Sequence, residues 1–348
     1  MKFTVYEDQA QSEKLQVDIP LTSATNLPAY KAELGIPDYV SVDNFQVEKA
    51  VVILWACRHA KEFLPDETVS SIDAALFGGC GFKFACPSTN SKGPLHRFVG
   101  DIDIVTTREH GKALVRLLCA LSEKLGSKYY VTTTKYDKRF NALRGGTRFR
   151  VRVIKEIDKE GTPTLGVMDI FCDKLTFCHE ILVAHEVKNA VEQAYTIGFE
   201  NLVLTKTQFI KKVPRDQVAG SERYRLLGEL DKKNVILGME MKDMRDICAM
   251  LLDHEVGEGQ STLSLKAFSE KLRKDWRLAK TVTLNLRNLR DNPDAMNSLG
   301  IETDQATLIR SRLDKLLQTF GDFKPKLGLS LNKEWWEEVE DQTESMNA

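Results

Sequence analysis

A glycine pair, Gly78-Gly79, is followed by two alternating carboxylates, Asp101-Ile102-Asp103, and later by a lone acid in an apolar run, Val167-Met168-Asp169-Ile170-Phe171. Side chains alternate faces along a strand, so Asp101 and Asp103 are expected to point the same way, with Ile102 and Ile104 packed into the core behind them. Two carboxylates on one face repel unless a cation sits between them, and a hard divalent ion with oxygen ligands, such as magnesium, suits the pair. Asp169 could bind a second ion or accept the proton from an attacking hydroxyl. Two ions would brace the attacking and leaving oxygens of an in-line displacement on a nucleoside triphosphate. Glycine lets backbone amides approach phosphate and permits positive φ, so Gly78 and Gly79 have a matching task. Each piece alone is common, since a DxD occurs by chance and Gly-Gly is usually a turn. Their order along the chain is what points to nucleotide chemistry.

The elements that must position these residues can be read from patterning. Residues 1–45, broken by Pro20, Pro28 and Pro37, read as strands and loops. Residues 46–64 carry Val47, Ala50, Val51, Leu54, Trp55 and Phe63 at helical spacing and stop at Pro65. A short helix over 68–77 is expected to lead into the glycine pair, and a strand over 79–86 to leave it. The turn-forming stretch 87–96 reads as a mobile loop. A strand over 101–105 precedes a helix over 111–125, with Leu114, Leu117, Leu118, Leu121 and Leu125 on one stripe and Gly126 after it. Residues 129–134, 147–155 and 164–171 are rich in β-branched or aromatic residues and read as strands, the last two close enough for a hairpin. From about 180 helices dominate: Met241, Met244, Cys248 and Leu251 mark one, and Leu308, Ile309, Leu313, Leu316 and Leu317 another, closed by Gly321. The acidic tail around Trp335-Trp336 reads as a short helix that frays. There is no internal repeat. The expected division is N-terminal strands and loops (1–45), a mixed α/β core (46–180), a helical C-terminal domain (181–330) and an acidic tail (331–348).

Arg148, Arg150 and Arg152 alternate with Phe149, Val151 and Val153 and give one strand a basic face, either a solvated surface or a contact for triphosphate or RNA. Asp243 and Asp246 lie off the Met241/Met244/Cys248 stripe. They read as a solvent-facing helix edge or, alternatively, Asp243 points back at the metal site. Cys172, Cys178 and His179 lack a fourth ligand at sensible spacing for zinc and read as buried small residues. His59, His96, His110, His185 and His254 form no ligand or triad spacing, and neither a nucleophile elbow nor a Walker-type loop is present.

The ordered set Gly-Gly, Asp-Ile-Asp and Met-Asp-Ile resembles the nucleotidyltransferase superfamily with the polymerase-β-like fold. Arg97-Phe-Val-Gly-Asp101-Ile-Asp103-Ile is similar to the Arg-x-Ser/Thr-x-Asp-Ile-Asp stretch of its AbiEii-type toxin branch. Leu202-Val-Leu-Thr-Lys206-Thr-Gln208 resembles the Leu-x-x-x-Lys segment of that branch, and Lys242-Asp243-Met-Arg-Asp246-Ile its Arg-Asp-Leu-x-Asp-Leu helix. Asp275-Trp276 and Thr281-Val-Thr-Leu-Asn285-Leu286 look like an uncharacterised nucleotidyltransferase-like subgroup. The resemblance covers roughly 70–290. It implies an α/β (α+β) fold with a mixed-sheet core followed by a helical region, metal binding by Asp101 and Asp103 with Asp169 as third acid, and nucleotide contact by Gly79 and Lys206. Gly78, Arg97 and Asp243 are taken with them as nucleotide-binding. The 21 residues between Gly79 and Asp101 exceed the family's usual spacing, and loop 87–96 can absorb the excess at little closure entropy.

The activity so implied is magnesium-dependent transfer of a nucleoside monophosphate from an NTP to a hydroxyl of RNA, tRNA or protein, in a toxin-like setting with an antitoxin-like partner. A catalytically inactive scaffold of the same fold and a small-molecule, aminoglycoside-type transferase are the alternatives. Composition is compatible with this. The 348 residues are 42% hydrophobic and 28% charged, ordinary for a globular protein. A net charge of −1 provides no global field for nucleic acid, so any polyanion site must be local. No run approaches a membrane span, the first residues lack a signal-peptide core, and the odd set of seven cysteines without a CxxC pair suits a reduced cytoplasm.

Overall fold

The computed structural model describes residues 2–6, 14–18, 26–126, 129, 135–144, 146–157, 163–193, 195–220, 224–259, 261–319 and 334–337. An antiparallel hairpin, β1 (Lys2–Tyr6) and β2 (Lys14–Asp18), comes first. Helices α1 (Leu27–Leu34), α2 (Phe45–Arg58) and α3 (Ala60–Phe63) follow. Asn44 starts α2 by accepting from the amides of Gln46 and Val47, both at 3.0 Å. Then come β3 (Ala74–Phe77), α4 (Gly78–Ala85), β4 (Asp103–Thr106), α5 (Gly111–Leu125), α6 (Lys135–Leu143), β5 (Arg148–Ile157) and β6 (Pro163–Cys172). The four strands form one mixed sheet in the order β3-β4-β6-β5, with β4 and β6 parallel and both other pairs antiparallel. The fold class is therefore mixed α/β, and 147–155 and 164–171 do form the expected hairpin.

The sheet separates two apolar cores. Leu76, Ile104, Met168, Ile170, Val151 and Val153 face α2 and α5, whose stripe includes Leu114, Leu117, Leu118 and Leu121. Ala75, Phe77, Val105 and Phe171 face the C-terminal half. That half begins with β7 (Lys174–Thr176), β8 (Glu180–Leu182), α7 (Ala184–Lys188) and α8 (Phe199–Thr207). A three-stranded antiparallel sheet follows, made of β9 (Lys211–Pro214), β10 (Tyr224–Glu229) and β11 (Asn234–Glu240) in the order β10-β11-β9. Helices α9 (Met241–Asp253), α10 (Leu265–Lys274), α11 (Trp276–Asp291), α12 (Pro293–Ser298) and α13 (Thr303–Gln318) complete it. The stretch beyond 180 is thus mostly helical, as expected, but it carries a sheet that patterning did not reveal.

Several sequence expectations are corrected. Residues 68–77 are not a helix: only 74–77 are regular, and they form β3. Residues 79–86 are not a strand but helix α4. The alternation Phe82-Lys83-Phe84 mimics a strand because α4 is buried on both sides, with Phe82 in one core and Phe84 in the other. Loop 87–96 is tied down rather than mobile. The Ser88 amide and hydroxyl donate to Asp253 at 2.9 and 2.7 Å, and Asn90 Nδ2 donates to the carbonyls of Lys83 and Cys86 at 2.9 and 3.0 Å. Residues 334–337 are not helical. Trp335 and Trp336 are buried beside Cys178, Ile210 and Ile236, and Trp335 Nε1 donates to Thr281 Oγ1 at 3.0 Å. The expected strand over 129–134 lies, apart from Tyr129, outside the described residues, as does Gly321; α13 is capped at Thr319.

Candidate active site

Parallel pairing of β4 with β6 matches Ile104 to Ile170 and Val105 to Phe171. Asp103 and Asp169 each stand two residues before a matched pair, Val105 and Phe171, and so share their face of the sheet. On the far side of β6, Arg150 is paired in register with Asp169. On the near side Phe77 is paired with Asp103, and the chain turns at once into Gly78. A row therefore crosses the sheet toward the C-terminal half: glycine turn, Asp103, Asp169, Arg150. Ile102 and Ile104 are buried in the opposite core, as the alternation required.

Gly78 has φ +57, and a Cβ there would overlap the Asp103 carboxylate. Glycine is required on both counts, backbone hand and space. The pair does not separate a helix from a strand. It converts β3 into α4, whose first amides start beside Asp103. A Cβ on Gly79 would lie 3.3 Å from the Arg97 guanidinium, so Arg97 covers this turn.

Asp103 accepts no hydrogen bond from any described residue and keeps some exposed surface. Loss of water around it, then the Asp101 charge, then that of Asp169, push its carboxyl up to about 7, against a downward pull from Lys206 and Arg97. Asp101 lies just ahead of β4 and is exposed. It forms part of the wall of a cleft of about 220 Å³, together with Gly100, Arg152, Lys155, Gly166 and Val167.

Asp169 is differently placed. Arg150 binds it through Nε to Oδ1 at 2.9 Å and Nη2 to Oδ2 at 3.1 Å, and Arg148 Nη2 also donates to Oδ2. Burial alone would raise this carboxyl, but the two guanidiniums hold it below the usual carboxylate range. Such a group is a poor proton acceptor near neutrality. Arg152 instead pairs with Asp137 of α6 at 2.9 Å. The basic face of β5 is therefore not a solvated surface, since two of its arginines are spent on one carboxylate and the third on another.

Helices α8 and α9 bring a second charge group to the same side. Lys206 Nζ lies 2.7 Å from Asp243 and 3.3 Å from Asp246, and Arg97 Nη1 pairs with Asp246 Oδ2. Burial would lower Lys206 and Arg97, but the acids of α9 more than offset it and hold both up. The solvent-facing reading of Asp243 and Asp246 is overturned: they are 8% and 0% exposed. Asp243 also closes the capping box of α9 with Glu240. The apolar stripe misled because α9 is enclosed by α8, α13 and the 3-10 turn Pro87–Thr89.

The structure thus gathers Gly78, Gly79, Arg97, Asp103, Asp169, Lys206 and Asp243 about one side of the sheet, with Asp101 at its rim. Patterning missed Lys49. This lysine in the apolar run of α2 is fully buried and donates to the Ile154 carbonyl, while Gln46 donates to that of Lys155. Both hold the end of β5, and the lysine inside an apolar stripe was the available signal. Cys172, Cys178 and His179 are buried, and His179 hydrogen-bonds Thr281 at 2.9 Å.

Asp101 and Asp103 fit one hard divalent cation. Their donors are oxygens, Asp103 accepts no hydrogen bond from the described residues, and its carboxyl, pushed up first by loss of water and then by the Asp101 and Asp169 charges, is one that a cation would relieve. Asp169 does not fit as a further ligand, because the two arginines engage both its oxygens. Among the described residues no three His, Cys, Asp or Glu side chains form a ready-made metal cluster. No helix among them is long and apolar enough to cross a membrane. No family model matches this chain, and no curated protein or solved structure is significantly similar to it.

Proposed function

We propose that this chain is a magnesium-dependent nucleotidyltransferase of the polymerase-β-like type, which moves a nucleoside monophosphate from an NTP to an acceptor hydroxyl of RNA or protein. The observation that carries the reading is the Gly78 turn pressed against Asp103, with Asp169 in the same row of the sheet. This sets the start of α4 beside a carboxylate that accepts no hydrogen bond from the described residues.

A magnesium ion held by Asp101 and Asp103 would supply Lewis acidity toward the phosphate oxygens. The first α4 amides start beside Asp103 and under the Arg97 guanidinium, so a phosphate there would meet Arg97 together with those amides. Arg97 and Lys206 are charged and positioned by Asp246 and Asp243, so they offer oriented donors rather than unscreened charge. The acceptor oxygen attacks the α-phosphorus, a new O–P bond forms, and the bond between the α-phosphorus and the bridging oxygen breaks. Pyrophosphate departs with that electron pair. The acceptor proton passes to solvent, because Asp169 is held ionised by its arginines. The cleft walled by Asp101, Arg152 and Lys155 would give an acceptor a route to Asp101.

The test is incubation of the full chain with α-labelled NTPs, magnesium and total RNA or total protein. Label should enter one of these fractions with the wild type. With Asp103→Asn, folded by circular dichroism, transfer should fall by about 10³-fold or more, the scale lost when electrostatic stabilisation of a transition state is removed. Equal incorporation by both proteins would refute the proposal.

A further inference from the structure

Resting on that reading, we propose that the Arg148–Arg150 guanidinium pair, clamped by Asp169, takes the place of a second metal ion, so that this chain works with one divalent cation, at Asp101 and Asp103. The arginines are built in rather than incidental. Arg150 grips Asp169 in a two-pronged contact at 2.9 and 3.1 Å and is 7% exposed. Its backbone is fixed by Asn141 of α6, which accepts from the Arg150 amide at 2.6 Å and donates to its carbonyl at 3.0 Å. Phe140 lies 4.2 Å from the Arg150 guanidinium and 5.4 Å from that of Arg148, and Phe171 of β6 lies 4.3 Å from the Arg148 guanidinium. Aromatic faces hold guanidiniums in plane and shed water from them.

Charge and donor counts favour the same assignment. Among the described pairs, two guanidiniums share the one carboxylate of Asp169, whereas Arg97 and Lys206 are matched one for one by Asp246 and Asp243. Arg148 Nε is buried without a hydrogen-bond partner, so a donor remains for an anionic oxygen. A second magnesium at Asp169 would have to displace a bidentate arginine and leave two buried guanidiniums without a counter-ion, which is costly. Asp169 is on this account a positioning residue for the arginines, not a metal ligand.

The experiment counts Mn²⁺ bound to the full chain by electron paramagnetic resonance, with a non-transferable α,β-methylene NTP analogue present. One ion per chain is expected, abolished in Asp101→Asn. Asp169→Asn should retain one ion, at an affinity lowered by the loss of a negative charge near Asp103, while its transfer rate drops, and Arg148→Ala/Arg150→Ala should bind a second ion at the freed carboxylate. Two ions in the wild type, or loss of the ion in Asp169→Asn, would overturn the inference and leave the transferase reading standing. No ion at all in the wild type would overturn both. Should the double-arginine variant fail to fold, the wild-type count and Asp169→Asn decide the matter.

Discussion

Asp103 is held by its surroundings in an unfavourable state, and that has a pH signature. Its carboxyl stays protonated up to about 7 in the folded chain but releases its proton near its ordinary value of 3.8 when unfolded. The folded state therefore binds the extra proton. The resulting stabilisation is complete at acid pH and is lost as pH rises through 7. In EDTA, the melting temperature of the wild type should decline relative to Asp103→Asn between about pH 5 and about pH 8, and Mg²⁺ should recover it most above pH 7. Parallel profiles of the two proteins by differential scanning fluorimetry would show that Asp103 titrates normally. Asp169 and Asp243 are shifted the opposite way, so their contributions fail only as pH falls toward the acid range and leave this window clear. Asp103 accepts no hydrogen bond from the described residues and is raised by burial and then by the Asp101 and Asp169 charges, whereas Asp169 is lowered by the hydrogen bonds and charges of Arg150 and Arg148.

At the scale of elements, the site depends on α8, β11 and α11 meeting at one buried amide. Asn285 Oδ1 accepts from the Met239 amide at 2.9 Å, and Nδ2 donates to the carbonyls of Thr207 and Phe209 at 2.9 and 2.8 Å. Thr207 adjoins Lys206 and Met239 leads into α9, so this amide fixes the distance between the lysine and its acids. Asn285→Ala strands two buried backbone groups and a partly buried one and should cost about 3 kcal/mol in urea denaturation; a loss within 0.5 kcal/mol, at about the scale of an ordinary surface change, would contradict this role. What was legible in the sequence follows the same logic. The helix over 111–125, the β5–β6 hairpin and the inward Ile102 and Ile104 were readable because each has one wet and one dry side, or a clear turn. α4 was misread in type because every residue of it is buried, so it has no period to display, and the exposure of Asp243 and Asp246 was misjudged because α8, α13 and the 3-10 turn cover the polar edge of α9. The β9–β11 sheet escaped notice because β9 is short and ends at Pro214, and β10 carries Gly228 and two register shifts against β11 that break the alternation. α6, rich in lysine and arginine, holds Asp137 and Asn141 against β5 through polar contacts that patterning does not register. Of the site, the acids and glycines could be picked out by type and order. The arginine clamp on Asp169 could not, because pairing depends on strand register.

For the whole molecule, the mixed sheet is a partition between two cores, and the charged row lies on the side facing the C-terminal helices. The N-terminal helices build the platform, while α8 and α9 supply Lys206, Asp243 and Asp246 from the other half. Neither half alone assembles the constellation, so the proposed reaction needs both. It is tested most directly with an NTP labelled differently on its α- and γ-phosphorus, followed through one turnover with the acceptor fraction that takes up label. The account predicts the α-label on the acceptor and an equal amount of the γ-label in pyrophosphate, both lost in Asp103→Asn. The γ-label on the acceptor, or released as orthophosphate, would contradict it.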